Sequence, residues 1–191
     1  MAAVKLSSGD PRQSLLQLLA TYNDTYPDEA TTIKRYHQFI ESNVDCFERT
    51  LPIGHVTGSA LILDSAGQKL LLTHHRKLDR WLQPGGHADG DVDVSRVAMK
   101  EALEESGLEE IKFLSTQILD IDIHEIPERG AEPAHYHYDC RFLLQSAGSD
   151  NYVISDESHD LQWVLMDQIS DFTDEDSILR MIRKASNHLQ H

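Results

Sequence analysis

Gly85-Gly86-His87-Ala88-Asp89-Gly90-Asp91-Val92-Asp93, continuing as Val94-Ser95-Arg96-Val97-Ala98-Met99-Lys100-Glu101-Ala102-Leu103-Glu104-Glu105-Ser106-Gly107-Leu108, is a glycine-rich turn that leads into an acidic amphipathic segment. After Asp93 the apolar residues Val94, Val97, Ala98, Ala102 and Leu103 recur at three- and four-residue steps, which predicts a helix capped by Asp93 and ended by Gly107. On that helix Glu101, Glu104 and Glu105 stand at i, i+3 and i+4, so three carboxylates share one face within about a turn. Carboxylates so placed repel by a few tenths of a kcal/mol per pair, and a cation among them reverses the sign. Such oxygen donors suit Mg²⁺ or Mn²⁺ rather than a thiolate-seeking metal. On spacing alone a solvated acidic face is the plainer account. The preceding Gly85-Gly86, where backbone can approach a ligand closely, is what favours a bound group.

Upstream, His55 to Leu63 and Gln68 to Thr73 are β-branched and apolar runs joined at Asp64-Ser65-Ala66-Gly67, which predicts a hairpin. Trp81 to Gly86 reads as a turn-rich stretch. Downstream, strands are expected over Phe113 to Ile123, Tyr136 to Leu144 and Leu161 to Leu165. A last helix is expected over Asp174 to His188, with Arg180, Arg183 and Lys184 towards the end that the helix dipole favours for cations. From Ser14 to Phe47 the stripe Leu15, Leu18, Leu19, Ile33, Tyr36, Phe39, Ile40 and Val44 has helical period, broken at Tyr26-Pro27-Asp28 into two helices. The pattern therefore gives a helical extension over residues 1–50 and an α/β body over residues 51–191. Packing or a homodimer contact is the plain role of the extension.

The 191 residues carry 17 Lys and Arg against 32 Asp and Glu, a net charge of −15 that would repel a phosphate backbone and excludes charge-driven nucleic-acid binding. Cys46 and Cys140 lie in no CxxC pair, so neither a zinc knuckle nor a disulfide framework is indicated. No apolar run approaches the roughly 20 residues that span a bilayer, and Met1 to Pro11 lacks the basic-then-apolar order of a secretory signal, so a soluble cytoplasmic protein without membrane contact is expected.

The segment Gly86 to Leu108 resembles the signature of the Nudix hydrolases: a Gly, five residues, Glu, seven residues, then Arg-Glu-apolar-any-Glu-Glu-any-Gly-apolar. The flanking pattern from Pro52 to the C-terminus also looks like that family's α/β/α sandwich with a mixed sheet, whereas the helical extension lies outside it. Two positions depart from the signature. Val92 stands in place of the first Glu and cannot ligate a metal. Lys100 stands in place of the Arg, which keeps the charge but loses the planar two-pronged contact with carboxylates. Asp89, Asp91 and Asp93 surround Val92 and offer oxygens to an ion or a cap to the helix, capping being the simpler account for Asp93.

Carried over position by position, the resemblance implies that Glu104 and Glu105 bind Mg²⁺, helped by the carbonyl of Gly86, with Glu101 a further ligand or the base that activates water. The implied substrate is a small nucleoside diphosphate linked to a group X, cleaved at the diphosphate. In this family the base comes from the signature helix or from a later loop, where Asp156 and Glu157 are the candidates. Arg76 and Arg80, in the basic run His74-His75-Arg76-Lys77 to Arg80, are candidates to meet phosphate oxygens, against the reading of a solvated hairpin end with surface ion pairs. Trp81 either stacks on a ring of the substrate or packs under the turn.

His135-Tyr136-His137-Tyr138-Asp139-Cys140-Arg141-Phe142, read as a strand, sends His135, His137, Asp139 and Arg141 to one face and the aromatics and Cys140 to the other. His137 and Asp139 are thereby candidates for a substrate or metal pocket, with a half-exposed strand as the alternative. Imidazoles including His87 and His124 suit zinc, iron or nickel, but no HxxxH or similar spacing supports such a site. Two further readings stay open: a Nudix-fold binding or regulatory module weakened by Val92 and Lys100, and an interaction protein in which the N-terminal helices matter most.

Overall fold

The computed structural model describes residues 9–130 and 133–190; the expectation for Met1 to Pro11 falls, for residues 1–8, outside the described residues. Strand β1 (Gly54–Leu63) is buried along its whole length and pairs parallel with β7 (His135–Ser146) from Gly54↔Tyr136 to Leu63↔Gln145. The expected hairpin is present. β2 (Lys69–His75) meets β1 at Leu63↔Leu70, meets β3 (Arg80–Leu82) over Thr73 to His75, and pairs along its length with β8 (Ser158–Leu165). β4 (Gly85–His87) lies antiparallel against Thr57 to Ser59 of β1. The sheet is therefore mixed. Trp81 to Gly86, read from sequence as a turn, holds parts of two three-residue strands around Pro84, whose carbonyl accepts from Ala60 N–H at 2.9 Å.

The single strand expected over Phe113 to Ile123 is two, β5 (Ile111–Phe113) and β6 (Asp120–Ile126), both on the same edge of β7. The register gives the reason: Phe113 faces Leu144 and Asp120 faces Arg141, so residues 114–119 run opposite only Phe142 and Leu143 and must loop out.

Alternation along the central strands divides the molecule into layers. Val56, Ala60 and Ile62 with Tyr138, Cys140, Phe142 and Leu144 face helix α1 (Gln13–Thr25), α2 (Ala30–Ser42) and α3 (Val94–Ser106). Leu61, Leu63, Leu70, Leu72 and Leu143 face α4 (Asp176–Leu189) through Ile178, Met181, Ile182 and Ala185. This is an α/β/α sandwich. The break between α1 and α2 is a 3₁₀ turn at Pro27–Glu29, and Leu15, Leu19, Tyr22, Ile33, Tyr36 and Ile40 enter the same core as the sheet. Tyr36 Oη donates to the Tyr138 carbonyl at 2.7 Å, and Phe39 stacks on Tyr138 with centroids 3.7 Å apart.

Arg180 and Lys184 do not serve the C-terminal dipole of α4. Both turn inward to Asp120, which is 0% exposed and receives Arg180 Nε at 2.9 Å, Lys184 Nζ at 2.6 Å and Arg141 Nη1 at 3.2 Å. One buried carboxylate thus ties α4 to β6 and β7, and a buried charge persists only where it is paired in this way.

Candidate active site

Helix α3 is seated against β1 at Gly58, where a Cβ would fall 2.8 Å from the Val94 carbonyl and 3.0 Å from Ala98 N. Its ends are those expected: Asp93 Oδ1 accepts from Arg96 N–H at 3.2 Å, and Gly107 closes the helix at φ 63°. This seating turns Glu101 and Glu105 towards β4. Gly85 N–H donates to Glu105 Oε1 at 2.7 Å. A Cβ at Gly86 would lie 2.5 Å from Glu101 Cδ, so only glycine lets the strand pass directly over that carboxylate. Glu104 points outward, with 61% of its side chain exposed.

Glu105 is 6% exposed. Burial pushes its carboxyl up to about 7; the Gly85 N–H opposes this, and the charges of Glu101 and Glu157 add to it. Lys100 Nζ lies 3.1 Å from Glu101 Oε1 and 3.4 Å from Glu104 Oε2, so the Lys in the signature's Arg position bridges two of the three carboxylates. Its companions around Val92 are engaged elsewhere: Asp89 pairs with Arg49, Asp91 with Arg96, and Asp93 caps the helix. Val92 itself packs against the core beneath α1 to α3.

The chemistry of this donor set fits Mg²⁺ or Mn²⁺. It brings hard carboxylate oxygens together beside a backbone strand whose crowded glycine excludes any side chain. Glu101, Glu105 and Gly86 come together, and Glu104 stands on the solvent side of the same turn. Of the two later-loop acids, Glu157 is the one whose charge acts on Glu105, and its main-chain oxygen accepts from Arg76 N–H at 2.9 Å. Arg76 Nη2 also donates to the Ser158 carbonyl at 3.0 Å, which holds the end of β2 against that loop. Asp156 is exposed. Arg80 forms an ion pair with Glu175, and Trp81 packs between His74, stacked at 5.0 Å, and Phe172, edge-on at 5.4 Å.

The polar face of β7 is buried rather than solvated. Asp139, 2% exposed, accepts from Thr57 Oγ1 at 2.9 Å, Ser59 Oγ at 2.8 Å and Arg141 Nε at 2.9 Å, so its carboxylate is fully occupied inside the sheet. His137 lies beside His55, its neighbour across the parallel pair, and His124, its neighbour on β6. Ring centroids are 4.8 Å apart for His55 and His137 and 5.3 Å for His124 and His137, with His87 and His135 each within 5.0 Å of His55. Burial and the neighbouring rings hold His55 down to about 4 and His137 to about 2, so both are neutral imidazoles at pH 7. The sequence pattern groups His87, His124, His135 and His137 but not His55; the signal for it is an imidazole near the start of a ten-residue strand that is buried throughout.

The family model described as "NUDIX domain" matches residues 54–185. A zebrafish (Danio rerio) protein named m7GpppN-mRNA hydrolase NUDT17 is 42% identical over 64 residues, covering 31% of this chain and 21% of that protein, so the chain matches about a fifth of its curated relative. Among solved structures, a Caenorhabditis elegans Ap4A hydrolase binary complex superposes with a TM-score of 0.53 at 19% identity, covering 71% of this chain and 97% of that one. The Escherichia coli dihydroneopterin triphosphate pyrophosphohydrolase gives 0.55 at 16% identity over 69% and 95%. These two likenesses show the shared fold.

Proposed function

Because this chain belongs to the NUDIX family, we propose that it hydrolyses a diphosphate linkage in a small nucleoside-diphosphate-linked compound. Glu101, Glu104, Glu105 and the Gly86 carbonyl would hold Mg²⁺, or Mn²⁺ in its place. The observation that carries this reading is the meeting of buried Glu105 and half-buried Glu101 with the Gly85-Gly86 strand, a carboxylate pair whose mutual repulsion a divalent cation would relieve. A divalent ion there neutralises diphosphate oxygens and makes water a better nucleophile.

The residues of the chain do the rest. Gly85 N–H fixes one Glu105 oxygen, and Lys100 fixes Glu101 and Glu104 from the outer side. Two acids act electrostatically on Glu105, Glu101 and Glu157, and these are the candidates to take the proton from the attacking water. Arg76, anchored to the Glu157–Ser158 backbone, would supply positive charge for phosphate oxygens, and Arg80 would do so on exchanging its partner Glu175. Substrate recognition through a long nucleic acid is disfavoured by the charge of −15, whatever the substrates of relatives.

The test is a panel of dinucleoside polyphosphates, cap dinucleotides, nucleotide sugars, ADP-ribose, NAD-type dinucleotides and nucleoside triphosphates with Mg²⁺ or Mn²⁺, reading phosphate released after phosphatase coupling. Turnover that disappears in Glu105→Gln supports the proposal. Folded, metal-supplied protein that turns over none of them sinks it. Comparing kcat of Glu101→Gln and Glu157→Gln assigns the base.

A further inference from the structure

We propose that His55, His135 and His137 form a second metal site, distinct from the carboxylates of α3, that takes a divalent transition ion of the zinc class through imidazole nitrogens. One ligand nitrogen from each of the three residues lies within 4.8 Å of the others. Three nitrogens at about 2.1 Å from a common tetrahedral ion are about 3.4 Å apart, so ring rotations of an ångström or so close the set.

Three features separate this cluster from histidines that merely pack. His55 is 2% exposed, and among the described residues neither its Nδ1 nor its Nε2 has a hydrogen-bond partner; His137 Nε2 is likewise buried without one there. Neutral imidazole presents one N–H and one lone pair, and buried polar nitrogens are ordinarily satisfied. An ion on the lone pairs supplies what the protein does not. The surroundings also orient the rings. His135 Nδ1 lies 2.9 Å from the Pro133 carbonyl, which fixes the tautomer with N–H at Nδ1 and directs the Nε2 lone pair to the cluster. His124 Nδ1 lies 3.0 Å from Asp122 Oδ2, the carboxylate–imidazole arrangement that commonly backs a ligand. Finally, the donor set is chemically unlike the other site: nitrogen only, where Mg²⁺ prefers oxygen.

The strand register accounts for the site's geometry. His55 and His137 face each other across the parallel pair, His124 continues the row on β6, and His135 is two residues from His137 on the same face. His87, the residue after Gly86, touches both His55 and His137, with centroids 4.9 and 5.0 Å away. An ion here would join β1 to β7 and so stiffen β1, the strand against which β4 pairs to carry the Gly85-Gly86 contact with Glu101 and Glu105. Its role would be to support that strand, with one position left for water or a fourth imidazole.

The experiment uses the full chain stripped with a chelator and titrated with Zn²⁺ and, separately, Co²⁺ in the presence of millimolar Mg²⁺. The expected result is one Zn²⁺ per chain, a Tm higher by roughly 5–10 °C at a hundredfold excess over Kd, and a Co²⁺ visible spectrum of a low-coordinate nitrogen site. Binding should persist in Glu105→Gln and weaken at least 100-fold in His137→Ala. The Co²⁺ spectrum of the unaltered protein decides the matter even where a His variant fails to fold. Zn²⁺ that Mg²⁺ displaces, or that Glu105→Gln abolishes, would place binding on the carboxylates and overturn the proposal. Absence of Zn²⁺ binding, leaving a cluster filled by water only, would overturn it as well.

Discussion

The backbone N–H of Gly85 and the carboxylate of Glu105 meet at 2.7 Å, twenty residues apart in sequence, and this bond joins the glycine turn to helix α3. Its partner is a carboxylate that burial holds partly protonated near neutral pH, so without a cation the site is under electrostatic stress.

Glu105→Gln keeps the acceptor oxygen for Gly85 and removes the buried charge. In chelator at pH 8 we expect this variant to be more stable than the parent by about 1–3 kcal/mol, read as a higher urea midpoint at an unchanged slope. In the presence of Mg²⁺ its kcat should fall on the order of 100-fold or more. A variant that is both less stable without metal and fully active would contradict the role given to this residue.

Lys100 touches Glu101 and Glu104 from a position with 58% of its side chain exposed, so its loss should leave stability within about 0.5 kcal/mol. Lys100→Ala is expected to lower kcat by about tenfold and to raise the Mg²⁺ concentration needed for half-maximal rate. Lys100→Arg should restore both. Val92→Glu, which returns the signature's missing acid, should instead cost about 1–3 kcal/mol because Val92 packs against the core, with no gain in metal affinity. Calorimetric melting alongside a Mg²⁺ titration of the rate separates these effects.

The period-3.6 stripe from Val94 to Leu103, with Asp93 before it and Gly107 after, made α3 legible because local capping and burial agree there. The 1–50 helices were legible as helices for the same reason. What they cover was not, since a stripe does not say which sheet it meets. The break between β5 and β6 was hidden because the register that forces it belongs to β7. Asp139 and the histidines were visible as a polar alternation, yet the partners that bury them, Thr57, Ser59 and His55, come from a strand eighty residues away that pairs in parallel. Metal-ligand motifs in sequence record spacing within one helix or turn, and a cluster of imidazoles gathered from β1, β4, β6 and β7 leaves no such spacing.

Acid sensitivity should trace to Asp122. Burial alone would raise its carboxyl, but the His124 hydrogen bond and the charges of Arg141 and Arg180 more than offset this and hold it at about 2, against 3.8 when free. A carboxyl depressed in the folded state stabilises above its unfolded value, and the contribution, about 2 kcal/mol here, is lost as pH falls from near 3.8 towards 2. Asp122→Asn should therefore be less stable than the parent at pH 7 by about that amount, with the two stabilities converging below about pH 3. Urea midpoints measured at half-unit pH steps test this; a constant gap down to pH 2 would show that the effect does not come from ionisation of Asp122.

Removal of residues 1–50 distinguishes an interaction arm from a structural layer. Were the N-terminal helices an arm, the remaining body would fold and lose only a partner. The packing argues otherwise. Leu15, Leu19, Tyr22, Ile33, Tyr36, Phe39 and Ile40 are buried in the core that also holds Val56, Tyr138 and Phe142, and Tyr36 Oη satisfies the Tyr138 carbonyl. Lys184 of α4 reaches across to Glu29, so even the opposite layer is tied to this segment. Deletion would bare a contiguous apolar face of the sheet, larger than soluble monomers tolerate. The expected outcome is an aggregated or molten product, and for the milder Tyr36→Phe, which removes the buried hydroxyl bond to that carbonyl, a loss of about 0.5–1.5 kcal/mol. A soluble, cooperatively melting 51–191 fragment with parental activity would show instead that the helices are dispensable to the fold.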